Sequence, residues 1–252
     1  MKPSLSSTWS GAWRLTYRRL WAPKHWLVIA GASALLALLC HATVREGRAV
    51  GGHGFFPWVT DTYVSLLLPI FAFIFGAGAM RDDLGAGVAD YVFTRPVSRP
   101  AYLICKHLAH LACAQLDFLV PFAALLAVGA SRHIPGLGAG APLLFLAQAL
   151  TIAAFSAFGF LCATLTSRYV VIGLVYAAAV EAGLGNIPTE LNRISLTHQV
   201  RGMLAPLVSP AGVGAQGPLA TTLQLLLWSA AMLAVAAIVF SRRELAGPPR
   251  DA

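Results

Sequence analysis

Charge is scarce in this chain, at only 11% of 252 residues, where a soluble domain carries roughly 25%. The hydrophobic residues, 58% of the total, fall in long blocks rather than alternating, and the mean hydropathy is +0.71. Lipid is therefore the solvent for most of the chain. Paired cysteine is missing as well. Cys40, Cys105, Cys113 and Cys162 lie in or beside apolar runs with no Cys-x-x-Cys spacing, which reads as small buried hydrophobes rather than disulfide partners or metal ligands. No G-x-x-x-x-G-K-[ST] phosphate loop occurs, and the Gly-rich run Gly136–Gly140 has no Lys after it; this excludes the commonest self-contained ATPase site. Ser195 and His198 are neighbours, but no G-x-S-x-G elbow accompanies them, which argues against a membrane protease.

What the chain has in abundance is apolar length. Six stretches approach the roughly 20 residues that a helix needs to cross a ~30 Å hydrocarbon core: Trp26–Thr43, Val59–Met80, Leu108–Ala130, Ala141–Leu165, Tyr169–Ile187 and Leu219–Phe240. Helix is the default because every backbone polar group must find its partner inside the bilayer. A β-barrel would show short alternating segments instead. Pro69 and Pro121 sit inside spans and are expected to bend them. The expectation is an all-α integral membrane protein, with a transmembrane domain over residues 26–240, an N-terminal segment 1–25 and a tail 241–252.

Basic residues set the orientation. With the N-terminus inside, Lys2, Arg14, Arg18, Arg19, Lys24, Arg81, Arg95, Arg99, Lys106, Arg168, Arg242, Arg243 and Arg250 are cytoplasmic, against Arg45, Arg48, Arg132, Arg193 and Arg201 outside. This bias favours both termini in the cytoplasm, with residues 81–100 inside and 188–218 outside. The net charge of +8 is then a topology signal plus an attraction to anionic lipid. No basic patch stands apart from a membrane flank, so nucleic acid is not an expected partner. The first span lacks a small-x-small cleavage site and is expected to be retained.

Ahead of that span, Trp9, Trp13 and Tyr17 recur at i, i+4, i+8 beside Arg14 and Arg18. Aromatics at headgroup depth with arginines toward phosphate is the pattern of an interfacial helix, which Pro23 would end. A second polar stretch, Arg81 to Arg99 (RDDLGAGVADYVFTRPVSR), is wedged between two apolar runs. Asp82 or Asp83 can open a short helix there, Val88, Tyr91 and Val92 follow at helical spacing, and Pro96 stops it. The expected result is a short amphipathic cytoplasmic helix that docks another protein at the membrane surface.

This stretch resembles the cytoplasmic loop of type-2 ATP-binding-cassette (ABC) exporter permeases, written R-D-E-x-x-x-G-T-L-D-Y-L-L-T-R-P-V-S-R. The chain matches at Arg81, Asp82, Gly87, Asp90, Tyr91 and Thr94–Arg99; it departs with Asp83 for Glu, Val88 for Thr and Ala89 for Leu. The run Val170 to Met203 is similar to the family's fifth span and the external segment after it, through Gly173, Leu174, Tyr176, Glu181, Ser195, His198, Arg201 and Gly202. Phe240 to Leu245 (FSRREL) resembles the family's basic tail. The resemblance implies a six-helix permease that pairs with a separate nucleotide-binding subunit, which holds the ATP and Mg, and with a second permease copy. This chain would bind no cofactor of its own. The coupling residues implied are Asp82, Asp83, Gly87, Asp90, Tyr91, Arg95, Pro96 and Arg99.

Glu181 lies in an otherwise apolar span, where a carboxylate costs about 2.5–3.5 kcal/mol. Gly173, Ala177 and Glu181 share one helix face, and small residues there suit close packing. The acid is read as pointing into protein, either to gate or line a translocation route or to hold helices together. Asp117 in the third span is read the same way. The histidines support a rival class. His107 and His110 share a face, with His41 and His198 near external ends, the raw material of a haem- or metal-ligating redox or anchor subunit.

The leading expectation is a transmembrane subunit of an ABC exporter in a bacterial-type plasma membrane, with the substrate unread. Its topology is testable. Ser98→Cys and Ser209→Cys in a background lacking the four native cysteines should behave oppositely toward an impermeant thiol reagent on intact cells. Position 209 should label at least tenfold faster than position 98, and the reverse would overturn the orientation.

Overall fold

The computed structural model describes residues 9–11, 13–14, 16–17, 23–44, 54–84, 98–183, 185, 192, 194–209 and 217–242. Among them the only regular secondary structure is helical. Seven elements position the functional residues: α1 (Pro23–Thr43), α2 (Phe55–Asp83), α3 (Arg99–Ser131), α4 (Leu137–Leu165), α5 (Tyr169–Gly183), α6 (Leu196–Val208) and α7 (Pro218–Arg242). Five of these, α1 to α4 and α7, are long and apolar enough to cross a membrane. The fifth expected span is shorter than its sequence suggested. Among the described residues helix α5 covers Tyr169–Gly183, 15 residues or about 22 Å at 1.5 Å per residue. The spans at both ends of segment 81–100 are longer than expected. Helix α3 has 33 residues, about 50 Å, and begins at Arg99 rather than Leu108.

Helix α4 is the centre of the bundle. It packs on α2, α3, α5, α6 and α7, and four-fifths of its apolar window is buried, against about one-sixth for α1. Lipid tails are as apolar as leucine, so helices associate here by close packing rather than by hydrophobic exclusion. The α2–α4 contact shows it: a Cβ at Gly159 would stand 2.5 Å from the Phe73 carbonyl, and one at Gly76 2.7 Å from the Ser156 carbonyl. Backbone lies on backbone. A buried amide then fixes the register. Tyr63 Oη donates to Gln148 Oε1 at 2.7 Å, and Gln148 Nε2 donates to the Phe118 carbonyl at 3.3 Å, so that α2, α4 and α3 meet at one polar node.

Helix α1 packs on α3 and runs parallel to it. His25 Nε2 and Asp117 Oδ1 are 3.0 Å apart at one level, and Arg132 Nη2 donates to the His41 carbonyl at 2.8 Å at the other. From Asp117 back to Arg99, α3 therefore extends about 27 Å beyond the level of His25.

Among the described residues two stretches of these helices are wound wider than α, and both border the candidate site. Residues Val59–Leu67 of α2 and Ala177–Gly183 of α5 are wound as π-helix. In α2 the cause is Pro69, which has no N–H for the Ser65 carbonyl. The widened turns ahead of it absorb the mismatch, with the Leu68 N–H reaching back to the Tyr63 carbonyl. No such residue accounts for the π turns of α5.

The close α2–α4 approach sets an expectation for stability. Gly159→Val forces the helices apart, and overpacking of this kind costs about 1–3 kcal/mol. At 2–4 °C per kcal/mol the melting temperature of the detergent-solubilised protein should fall by roughly 5 °C. Gly31→Ala, where nothing lies within 4 Å of the added Cβ, should leave it unchanged.

Candidate functional site

The first turn of α6 and the last turns of α5 are joined through one carboxylate. Glu181 Oε1 accepts from Tyr176 Oη at 2.7 Å and from the Leu196 N–H at 3.1 Å. Its Oε2 accepts from Ser195 Oγ at 2.6 Å, from the Thr197 N–H at 3.2 Å and from the Thr197 hydroxyl. The first N–H groups of a helix have no partner within it, and they carry the positive end of the helix dipole. Glu181 satisfies the first two of α6, while Ser195 as N-cap takes the third, from His198, at 3.0 Å. A capping box draws its acid from the third helical position. Here that position is His198, and the acid comes instead from the preceding apolar helix.

Five donors decide what Glu181 can do. A carboxylate offers about four lone-pair sites, so both oxygens are saturated by protein. Hydrogen bonds to a charged group contribute about 1.5–3 kcal/mol each, and two or three outweigh the 2.5–3.5 kcal/mol that a carboxylate costs within a span. The acid is a clasp between α5 and α6. It has no capacity left to grip a ligand.

Beneath the clasp lies a cavity of about 600 Å³ between α2, α4, α5 and α6. Its floor is Phe155 and Phe158 of α4, and its walls are α2 from Ser65 to Ile74 and α5 from Val170 to Ala182. Polar groups gather at the α6 end, where Ser65, Thr197, Arg201 and Glu181 line it. Arg201 Nε donates to Ser65 Oγ at 3.0 Å and stands 3.6 Å from Asp61 Oδ1, so α6 is tied at its second turn to the π-wound part of α2. Gly173 and Tyr176 both line this cavity. A Cβ at Gly173 would meet the Phe73 ring at 2.4 Å, and Tyr176 packs its ring 4.5 Å from that of Phe158. The structure thus gathers Gly173, Tyr176, Glu181 and Arg201 into one site. His198 adds only its backbone N–H, and Asp117 lies elsewhere, paired with His25 and lining a smaller cavity between α1, α2 and α3.

At the opposite end of the bundle the sequence-based expectation needs correction. Asp82 and Asp83 do not open a helix; they close α2. A carboxylate at a helix C-terminus opposes the dipole, and Asp83 is stable there because Lys106 Nζ lies 2.7 Å away and Tyr102 Oη donates at 2.6 Å. All three side chains are buried. A buried pair of this kind strongly destabilises a fold when one partner is removed. Arg99 opens α3 behind the N-cap Ser98. Gly87, Asp90, Tyr91, Arg95 and Pro96 lie outside the described residues, as does the expected amphipathic helix they belong to. His107 and His110 are buried against Phe160, with ring centroids 4.8 and 5.8 Å from it, and neither lines either of these cavities. His41 accepts from Arg132 Nε at 3.3 Å. His107, His110 and His41 are thus engaged in packing and helix-end contacts, which gives the haem reading no support.

Sequence reasoning missed Ser195 and Thr197 as clasp residues, although Ser before an apolar helical run was a legible capping signal. It also missed His25, Tyr102 and Lys106, which face acids more than eighteen residues away or across helices.

Near the N-terminus, residues 9–11, 13–14 and 16–17 are helical. Trp9, Trp13 and Tyr17 form a ladder with successive centroids 6.0 Å apart, as their spacing implied.

The family model described as ABC-2 family transporter protein matches residues 15–187. The match takes in α1 to α5 and Glu181 but not its α6 partners, so the clasp ties the matched region to the part beyond it. Comparison with individual curated proteins gives no match. With the match covering well over half its length and five of its helices able to cross a bilayer, this chain is a multi-pass membrane protein that belongs to the ABC-2 transporter family.

Proposed function

We propose that this chain is the membrane-spanning permease subunit of an ABC exporter in a plasma (inner) membrane, with ATP hydrolysed by a separate nucleotide-binding subunit. The observation that carries the reading is the Glu181 clasp, which holds an amphipathic helix over one end of a cavity sized for a small molecule. Pockets of about 300–1,000 Å³ are those that take such ligands. A transporter needs a compartment that one side can close, and a helix fastened at its first turn by one carboxylate is a suitable closure.

Orientation completes the proposal. Both termini and residues 81–100 face the cytoplasm; α6 and the clasp face outside. The 33-residue α3 is about 20 Å longer than the hydrocarbon core, and its excess length lies at the Asp83 end. There the Asp83–Lys106–Tyr102 contact fastens α2 to α3 on either side of segment 85–97. The two helix ends that flank it, Asp83 and Arg99, are thereby held together, on the face where a soluble ATPase would dock. Movement of the ATPase passes through Asp82, Asp83 and Arg99 and the residues between them, including Gly87, Asp90, Tyr91, Arg95 and Pro96, into a stiff α2–α3 pair. A second permease copy completes the route, whether identical or a paralogue.

Capture of the ATPase from detergent extracts tests this. Tyr91→Asp should lower its recovery at least tenfold while leaving membrane insertion intact. Glu181→Leu should leave recovery unchanged and reduce the ATP turnover of the captured complex several-fold. Undiminished recovery with Tyr91→Asp would refute the docking role. Loss of assembly in the Leu variant, seen by size exclusion, would reduce Glu181 to a packing residue.

A further inference from the structure

The cavity under the clasp has a chemistry of its own, and it points to a class of ligand. Its walls continue into the outer faces of α2 and α5, where Leu66, Ile70, Ile74, Val170 and Leu174 are all exposed, Leu174 by 70%. Its rim is thus a continuous apolar surface, suited to hydrocarbon rather than to water. An apolar cavity does not hold water, so in a bilayer it fills with chains. At about 600 Å³ it falls within the ~300–1,000 Å³ of pockets that hold one small ligand, room for a single alkyl chain and its head.

The polar groups sit at one end only, and they differ in availability. Glu181 is saturated by five protein donors. Arg201 is not held in that way: it is 45% exposed, its Nε is on Ser65, and its acid Asp61 stands off at 3.6 Å and is itself largely exposed. The guanidinium fork matches a carboxylate in two parallel hydrogen bonds, which a ligand can offer in place of the loose Asp61 contact.

We infer that this cavity binds a single-chain amphiphile with an anionic carboxylate head, entering sideways from the membrane, its chain along Phe73, Phe155 and Leu174 and its head at Arg201. The inference deepens the transport reading and rests on it for the purpose of the site. Its test does not use the ATPase, so failure of either is separately visible.

The probe is palmitic acid carrying a mid-chain diazirine, photolysed with the purified full chain in phosphatidylcholine nanodiscs and mapped by peptide mass spectrometry. Labelling should concentrate on residues 66–74 and 170–182 and be displaced about tenfold better by palmitate than by hexadecanol. Arg201→Gln should abolish that preference without abolishing labelling. Leu174→Trp, which enlarges a side chain already exposed, should reduce labelling several-fold with the fold intact by size exclusion. Several outcomes would overturn the proposal: labels spread evenly over α1 and α7, equal displacement by the alcohol, displacement by phosphatidylglycerol as good as by palmitate, or a groove shielded by a second copy and unlabelled.

Discussion

A helix that starts in a protein without other contacts leaves its first N–H groups bare, and α6 begins with three of them beside an apolar helix. Glu181 answers two and recruits Tyr176, Ser195 and the Thr197 hydroxyl in doing so. Several features of the site depend on this contact. The carboxylate is tolerated because its oxygens are filled, and it is delivered from the π-wound last turns of α5. Helix α6 lies where Arg201 reaches Ser65 because its start is pinned. The cavity is closed at that end because α6 stays.

The two ends of the bundle solve the same problem in different ways. At the clasp a negative group meets a helix N-terminus, where the dipole favours it. At the other end Asp83 meets a helix C-terminus, where the dipole opposes it, and a buried ammonium must compensate. The first arrangement is released by moving one short helix. The second, buried among α2 and α3, is suited to stiffness. Between them the backbone contact of α2 with α4 at Gly76 and Gly159 makes the long helices a single body, so displacement at one end has little slack in which to be lost.

Much of this was legible in the sequence, because apolar length reports directly on membrane crossing: five of the six expected spans lie within helices long and apolar enough to cross, and α1 matches its expected range closely. Glu181 stood out because a charge in an apolar run demands a partner. What remained hidden depends on distance along the chain. Asp83 looked like a helix-opening acid in a polar loop, and nothing local revealed that Lys106 would bury against it. The inner extension of α3 was misjudged because Lys106 read as a cytoplasmic basic residue beyond the span, whereas Asp83 takes it into the interior. The π turns of α5 have no proline to announce them. The amphipathic helix expected within segment 85–97 lies outside the described residues.

The central claim is that one carboxylate holds α6 in place, and amide hydrogen exchange reads this directly. In the purified wild-type chain the peptide covering residues 195–203 should exchange slowly. Glu181→Ala should raise its exchange at least tenfold while peptides around Gly76 and Gly159 keep their protection. Equal protection of α6 in both proteins would contradict the account, since the helix would then be held by its apolar face alone.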